Sequence, residues 1–138
     1  MDPLSIAGTC ISLVGTITKA SILATSFVRD VRAARSDLDA VSRELLSLKT
    51  VLELLADDVA NPTEKPFPET LKKQIAGILT SCSGVVIEIE QTLKNHEGTG
   101  LKKSAQWAVS GKGDTAKLRS SLEAHKCALE IALDMVAL

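Results

Sequence analysis

The sequence predicts an all-α fold: an antiparallel four-helix bundle with an additional short helix before the last long one. Three observations predict it. Leu38, Val41, Leu45, Leu48, Leu52, Leu55 and Val59 recur at alternating spacings of three and four, a heptad seam. Leu71, Ile75, Ile78, Cys82, Val85, Ile89 and Leu93 form a second seam of the same kind. Aromatic residues make up only 2% of the chain (Phe27, Phe67 and Trp107, with no Tyr), too few for the strands of a sandwich or barrel. The 138 residues suit one domain, residues 1–138, long enough to bury a core.

The first helix is expected from residue 3 to about 33. Asp2 followed by Pro3 is an N-cap with proline at the first helical position. The same opening lacks the positive segment of a signal peptide, and position 2 is not the glycine that N-myristoylation requires. Pro3 to Thr18 is an uncharged run of 16 residues, and Lys19 is then the only charge before Arg29. That run is shorter than the roughly 20 residues of a membrane-crossing helix. Extending it to Val28 supplies the length but brings in Lys19 and many hydroxyl residues. The segment therefore suits a soluble core and, under other conditions, lipid.

The second helix is expected to start at a capping box of Ser36 and Asp39. Leu46, Val51 and Leu54 widen its seam beyond a two-stranded coiled coil. Three of the four prolines lie between residues 60 and 68, so no helix continues through that stretch. The third helix begins near Pro68 or Glu69 and ends between Asn95 and Gly100. A short helix is expected at Leu101–Val109, a turn at Gly111–Gly113, and a last helix from Thr115 with Asp114 as its cap. Leu118, Leu122, His125, Leu129, Ala132 and Val136 mark that helix's inner face.

Two small-residue stripes stand out: Gly8, Ser12, Gly15 and Gly77, Ser81, Gly84. Glycines seven apart share a helix face, and each costs about 1 kcal/mol against Ala in a helix. Close approach of two helices would offset that cost, so the two stripes are expected to pack against each other as a helix-contact surface.

The charges narrow the function. Lys plus Arg number 16 and Asp plus Glu 17, a formal net charge of -1. A protein that neutralises phosphates would be strongly basic, so no nucleic-acid partner is expected. Locally the balance differs: Lys102, Lys103, Lys112, Lys117 and Arg119 oppose only Asp114 between residues 101 and 122. This patch suits an anionic lipid surface, and with an insertable helix it makes a two-signal membrane device. Cys10, Cys82 and Cys127 read as buried small hydrophobes, not a disulfide framework or zinc site. No nucleotide loop, catalytic triad or Glu-x-x-His motif is present. No enzyme activity, cofactor, metal or catalytic residue is expected.

Met1-Asp2-Pro3-Leu4-Ser5-Ile6-Ala7, Leu45-Leu46-Ser47-Leu48-Lys49-Thr50-Val51-Leu52, and the tail with Trp107 and Leu122-Glu123-Ala124-His125-Lys126 resemble the HeLo-like N-terminal domain of fungal STAND (NLR-like) proteins. This group is also catalogued as the N-terminal domain of azaphilone pigment cluster protein L. The resemblance covers nearly the whole chain. It implies a signalling effector of fungal innate immunity that oligomerises and targets membranes to execute regulated cell death, and is similar to the four-helix domain of mixed-lineage kinase-like necroptosis effectors. It further implies a membrane-insertion segment of Leu4, Ile6, Ile11, Leu13, Val14 and Ile17, with Gly8, Ser12 and Gly15 lining oligomer contacts. The implied partners are a second copy of the chain, an anionic membrane, and a STAND/NLR regulator in cis or in trans. The implied location is the cytoplasm, with relocation to the plasma membrane on activation. A soluble protein-interaction bundle without membrane activity is the alternative.

Overall fold

A computed structural model of the chain describes residues 3–60, 68–95 and 107–137. Among them no strand occurs, and four long helices dominate: α1 (Pro3–Asp30), α2 (Arg35–Ala60), α3 (Glu69–Asn95) and α4 (Lys112–Ala137). A three-residue 3₁₀ turn, Arg32–Ala34, joins α1 to α2. A π-helical turn, Trp107–Gly111, runs directly into α4. The expected cap Asp2 and most of the expected short helix lie outside the described residues.

Helix ends follow local chemistry that the sequence pattern placed slightly differently. α1 stops at Asp30, not near residue 33, because Val31 leaves the helical region at φ -127°, ψ 86°. Val31 itself is buried, and its amide donates to Phe27 carbonyl at 2.8 Å. α2 then starts at Arg35, straight from the 3₁₀ turn, which places Ser36 inside the first turn and removes the expected capping box. The first turn of α3 closes with Lys72 N–H donating to Pro68 carbonyl at 3.1 Å. Gly111–Gly113 is not a turn: all three residues are helical, and none has a positive φ. The π-helical turn carries the chain through this stretch, so α4 begins three residues before Thr115.

The helices surround one apolar core. α1 packs against α2 and α3, and α4 packs against the same two. Consecutive in the chain, α2 and α3 nevertheless lie across the bundle from each other, as do α1 and α4. All seven seam residues of α2 are buried. On α3 the buried line is Leu71, Ile75, Leu79, Cys82, Val86, Ile89 and Leu93, so Leu79 and Val86 replace the expected Ile78 and Val85. A straight helix drifts against a strict seven-residue repeat, and α3 faces two helices rather than one coiled-coil partner. Leu118, Leu122, Leu129 and Ala132 hold the inner face of α4, where Thr115 is also buried. Of the three cysteines, Cys10 and Cys82 are buried, whereas Cys127 is exposed, correcting its expected place in the core.

Candidate functional site

α1 has two unlike faces, and the candidate site is built on that contrast. Its inner line is Ile6, Cys10, Leu13, Ile17, Ala20, Ala24 and Phe27, all buried. Its outer line is Gly8, Ile11, Ser12, Gly15, Thr18, Lys19, Ile22, Thr25 and Ser26, all exposed. Lys19 is the only charge there. A solvent-facing helix surface ordinarily carries many charges, and this one does not.

The four threonine hydroxyls of α1 are satisfied within the helix. Thr9, Thr16, Thr18 and Thr25 donate their hydroxyls to the carbonyls of Ser5, Ser12, Val14 and Ser21, at 2.9, 3.2, 3.0 and 3.0 Å. A donor satisfied by its own turn carries a smaller penalty when water is removed. By length and composition, Ser5–Asp30 is able to cross a membrane. A third of its most apolar window is buried inside the bundle, a position that a soluble core helix also occupies.

The expected insertion residues separate between the two faces. Ile6, Leu13 and Ile17 are buried, Val14 is half-buried, and Ile11 is 67% exposed. The side chain of Leu4 lies outside the described residues. As folded, Ile11 and Ile22 are the large apolar side chains of α1 that stand exposed among the described residues.

The expected packing of the two small-residue stripes against each other does not occur within the bundle. Gly8, Ser12, Gly15, Gly77, Ser81 and Gly84 are all exposed. A Cβ built on any of the four glycines meets nothing within 4 Å. α1 and α3 do pack together, but through other residues. Cys10 on α1 and Cys82 on α3 come close enough to interact electrostatically: burial pushes Cys10 up to about 11, and burial followed by the charge of Cys10 pushes Cys82 up to about 12. Seven-residue spacing shows that two glycines share a face, and the bulkier side chains around them decided which face turned inward.

The basic patch is only partly described, since Lys102 and Lys103 lie outside the described residues. Lys112 and Lys117 are exposed at the start of α4, and Arg119 is half-buried. Lys117 shares a shallow polar groove with Glu88, Thr92 and Asp114, so anions already stand beside it. Trp107, one turn ahead of Lys112, packs on Phe27 with ring centroids 5.1 Å apart. The start of α4 thus sits at the far end of α1 from Leu4–Ile17, and Phe27 is about 24 Å along the helix from Ile11.

Two shallow grooves flank the bundle, and neither is legible in the sequence, because each needs two helices at a defined angle. One, of about 610 Å³, lies between α1 and α2 and is lined by Thr18, Ile22, Thr25, Arg29, Leu46 and Lys49 among others. The other, of about 620 Å³, lies between α3 and α4 and includes Gly77, Ile78, His125, Ile131 and Met135. His125 is half-buried there, and its Nδ1–H donates to the Ser121 carbonyl at 2.6 Å, since a carbonyl can only accept.

No curated protein and no solved structure matches the chain. Its full length, residues 1–138, matches the family described as pigment biosynthesis cluster protein PigL N-terminal. This is the family to which the opening motif, the Leu45–Leu52 segment and the Trp107-containing tail pointed, and the chain belongs to it.

Proposed function

We propose that this chain is a non-enzymatic signalling domain of the fungal NLR-like type, an antiparallel four-helix bundle that oligomerises and targets membranes to execute regulated cell death. Its resting place is the cytoplasm and its active place the plasma membrane, under a STAND/NLR regulator in cis or in trans. The observation that carries the reading is the outer face of α1, where Lys19 is the one charge among nine exposed positions from Gly8 to Ser26.

Energetics require a trigger. Ile6, Leu13, Ile17 and Phe27 are the large side chains that α1 commits to the core. Exposing them to water would cost about 1.5–3 kcal/mol each. Their sum, about 6–12 kcal/mol, is comparable to the whole stability of a typical domain. α1 therefore does not leave the bundle for water. It leaves for a bilayer, where the same side chains are buried again, and cations near the start of α4 hold the protein at an anionic surface with about 1 kcal/mol each.

Dye leakage from anionic vesicles tests this. Wild-type protein is expected to release dye from anionic vesicles and far less from neutral ones. Ile11→Asp and Gly8→Glu, both at exposed positions, should fold normally and abolish release. Leu13→Asp is unsuitable because Leu13 is in the core. The second reading, a soluble interaction bundle, is favoured by the buried positions of Ile6, Leu13 and Ile17. It predicts intact vesicles at every lipid composition and α1 amides that stay protected from hydrogen exchange.

A further inference from the structure

The α3–α4 groove is mostly apolar and carries one lysine, Lys73, with no carboxylate in its lining. Among the described residues Lys73 makes no ion pair. The nearby acids stand outside the groove. Glu69, one turn earlier on α3, already holds Lys72 at 3.1 Å. Asp134, beside Met135 on α4, does not line the groove.

The apolar part has room to be covered. Ile131 and Met135 are half exposed or more, and Ile78 is half-buried beside them. Gly77 leaves open space in the α3 wall, since a Cβ built there meets nothing within 4 Å. His125 adds its ring to the lining, with its Nδ1–H already donated to the Ser121 carbonyl.

The dimensions favour a thin ligand. The lining stretch of α3 runs from Lys73 to Ser81, about 12 Å, and that of α4 from His125 to Met135, about 15 Å. Packed helix axes stand roughly 8–10 Å apart. A helical ligand is itself roughly 10–12 Å across and would ride above Gly77, whereas a single alkyl chain lies down between the two walls. The groove's volume of about 620 Å³ falls within the roughly 300–1,000 Å³ of small-molecule sites. The charge selects the head group. One lysine matches the single negative charge of a carboxylate better than a phosphate monoester with about -1.5 to -2.

We propose that the α3–α4 groove binds one free fatty acid in its ionised form, with the carboxylate at Lys73 and the chain along Gly77, Ile78, Ile131 and Met135. Burial of the chain supplies the affinity, and Lys73 supplies the selection by charge. The site stands on α3 and α4 and does not depend on the membrane reading of α1.

Calorimetric titration of the full chain tests this, with decanoate kept below the concentration at which it self-associates. Decanol and decyltrimethylammonium serve as neutral and cationic probes with the same chain. Decanoate should saturate at one per chain and bind about tenfold more tightly than either, the scale of one charge-assisted hydrogen bond. Lys73→Glu should remove that preference. Gly77→Leu should fill the slot and abolish binding of all three probes, while circular dichroism shows the fold retained, as the open space at Gly77 allows. Met135 is one of two methionines, so its ¹³C-labelled methyl signal, identified by its loss in Met135→Leu, should shift with decanoate. Phosphatidylglycerol vesicles in place of decanoate should leave that signal unmoved. The proposal is overturned if decanoate does not saturate, if the three probes bind equally, or if Gly77→Leu binds like the wild type. A Met135 signal that moves with vesicles and not with decanoate also overturns it and assigns the groove to a bilayer.

Discussion

Trp107 donates its indole Nε1–H to Asp37 Oδ2 at 3.3 Å, tying the turn ahead of α4 to the first turn of α2. The same ring leans on Phe27 at an interplanar angle of 50°. One side chain thus joins the end of α1, the start of α2 and the approach to α4. Trp107 is the only tryptophan and is 2% exposed. Trp107→Ala should destabilise the fold by about 3–5 kcal/mol, as large core truncations do. Trp107→Phe keeps most of the ring packing but loses the donor, and Asp37 then loses a partner in a half-buried site. Its loss should exceed the roughly 1 kcal/mol of a simple hydrogen bond. Urea unfolding followed by circular dichroism measures both.

The open glycines invert the expectation for their substitution. Gly8, Gly15, Gly77 and Gly84 are helical, lack positive φ, and have empty space where a Cβ would sit. Alanine at each should raise stability by about 0.4–1 kcal/mol, chiefly by restricting the unfolded chain. Gly77→Leu should be tolerated for the same reason, whereas a buried glycine contact would make it severely destabilising. Melting temperatures decide the matter. A Gly8→Ala/Gly15→Ala protein that melts higher but leaks dye less would assign those positions to function.

Cys10 and Cys82 should resist alkylation in the folded protein. Burial holds both thiols above the ordinary value of 9.0, at about 11 and about 12, so the reactive thiolate is scarce at neutral pH. Cys127 is exposed and should react first with iodoacetamide. Mass spectrometry after a short pulse should find label on Cys127 alone. If α1 leaves the bundle at an anionic vesicle, Cys82 loses its cover and gains label there.

The same two thiols give a pH dependence. In the unfolded chain they ionise near 9, while in the folded protein they remain protonated to about 11 and about 12. Above pH 9 the unfolded state holds fewer protons than the folded state, so stability falls as pH rises. Below pH 9 the contribution is fully present. Urea midpoints should drop between pH 9 and 11, and a Cys10→Ala/Cys82→Ala protein should show a shallower drop.

Lys126 and Glu44 connect α4 to α2 across 3.1 Å, with side chains only 16% and 19% exposed. The hydrogen bond to Glu44 raises the Lys126 ammonium above its usual value. Glu44→Gln should cost about 2 kcal/mol, the range of a charge-assisted hydrogen bond. Replacing both residues with methionine should cost less than replacing either one, since no half-buried charge is left unpaired. A double-mutant cycle in urea gives the coupling directly.

What could be read from the chain depended on how local the deciding forces were. The α2 line from Leu38 to Val59 was legible because seven apolar residues at helical spacing mark one face to bury. Of the three residues expected to widen it, however, only Val51 is buried, while Leu46 and Leu54 stand 63% and 50% exposed. On α3, Ile78–Leu79 and Val85–Val86 are adjacent apolar pairs, so the pattern admits either member, and the choice fell to the packing of α1 and α4. At Gly111–Gly113 the composition suggests a turn, yet the buried Trp107 anchors the preceding residues and helical geometry continues. The outer face of α1 is legible as uncharged but not as outer.

The sequence by itself determined that the chain is helical, where the long helices lie, and which family it belongs to, because periodicity, proline placement and motif are properties of neighbouring residues. Only the tertiary structure decided that the glycine stripes face outward, that α2 and α3 stand across the bundle from each other, and that Trp107 joins three segments. Those outcomes depend on how several apolar surfaces share one core, and no single helix carries that information.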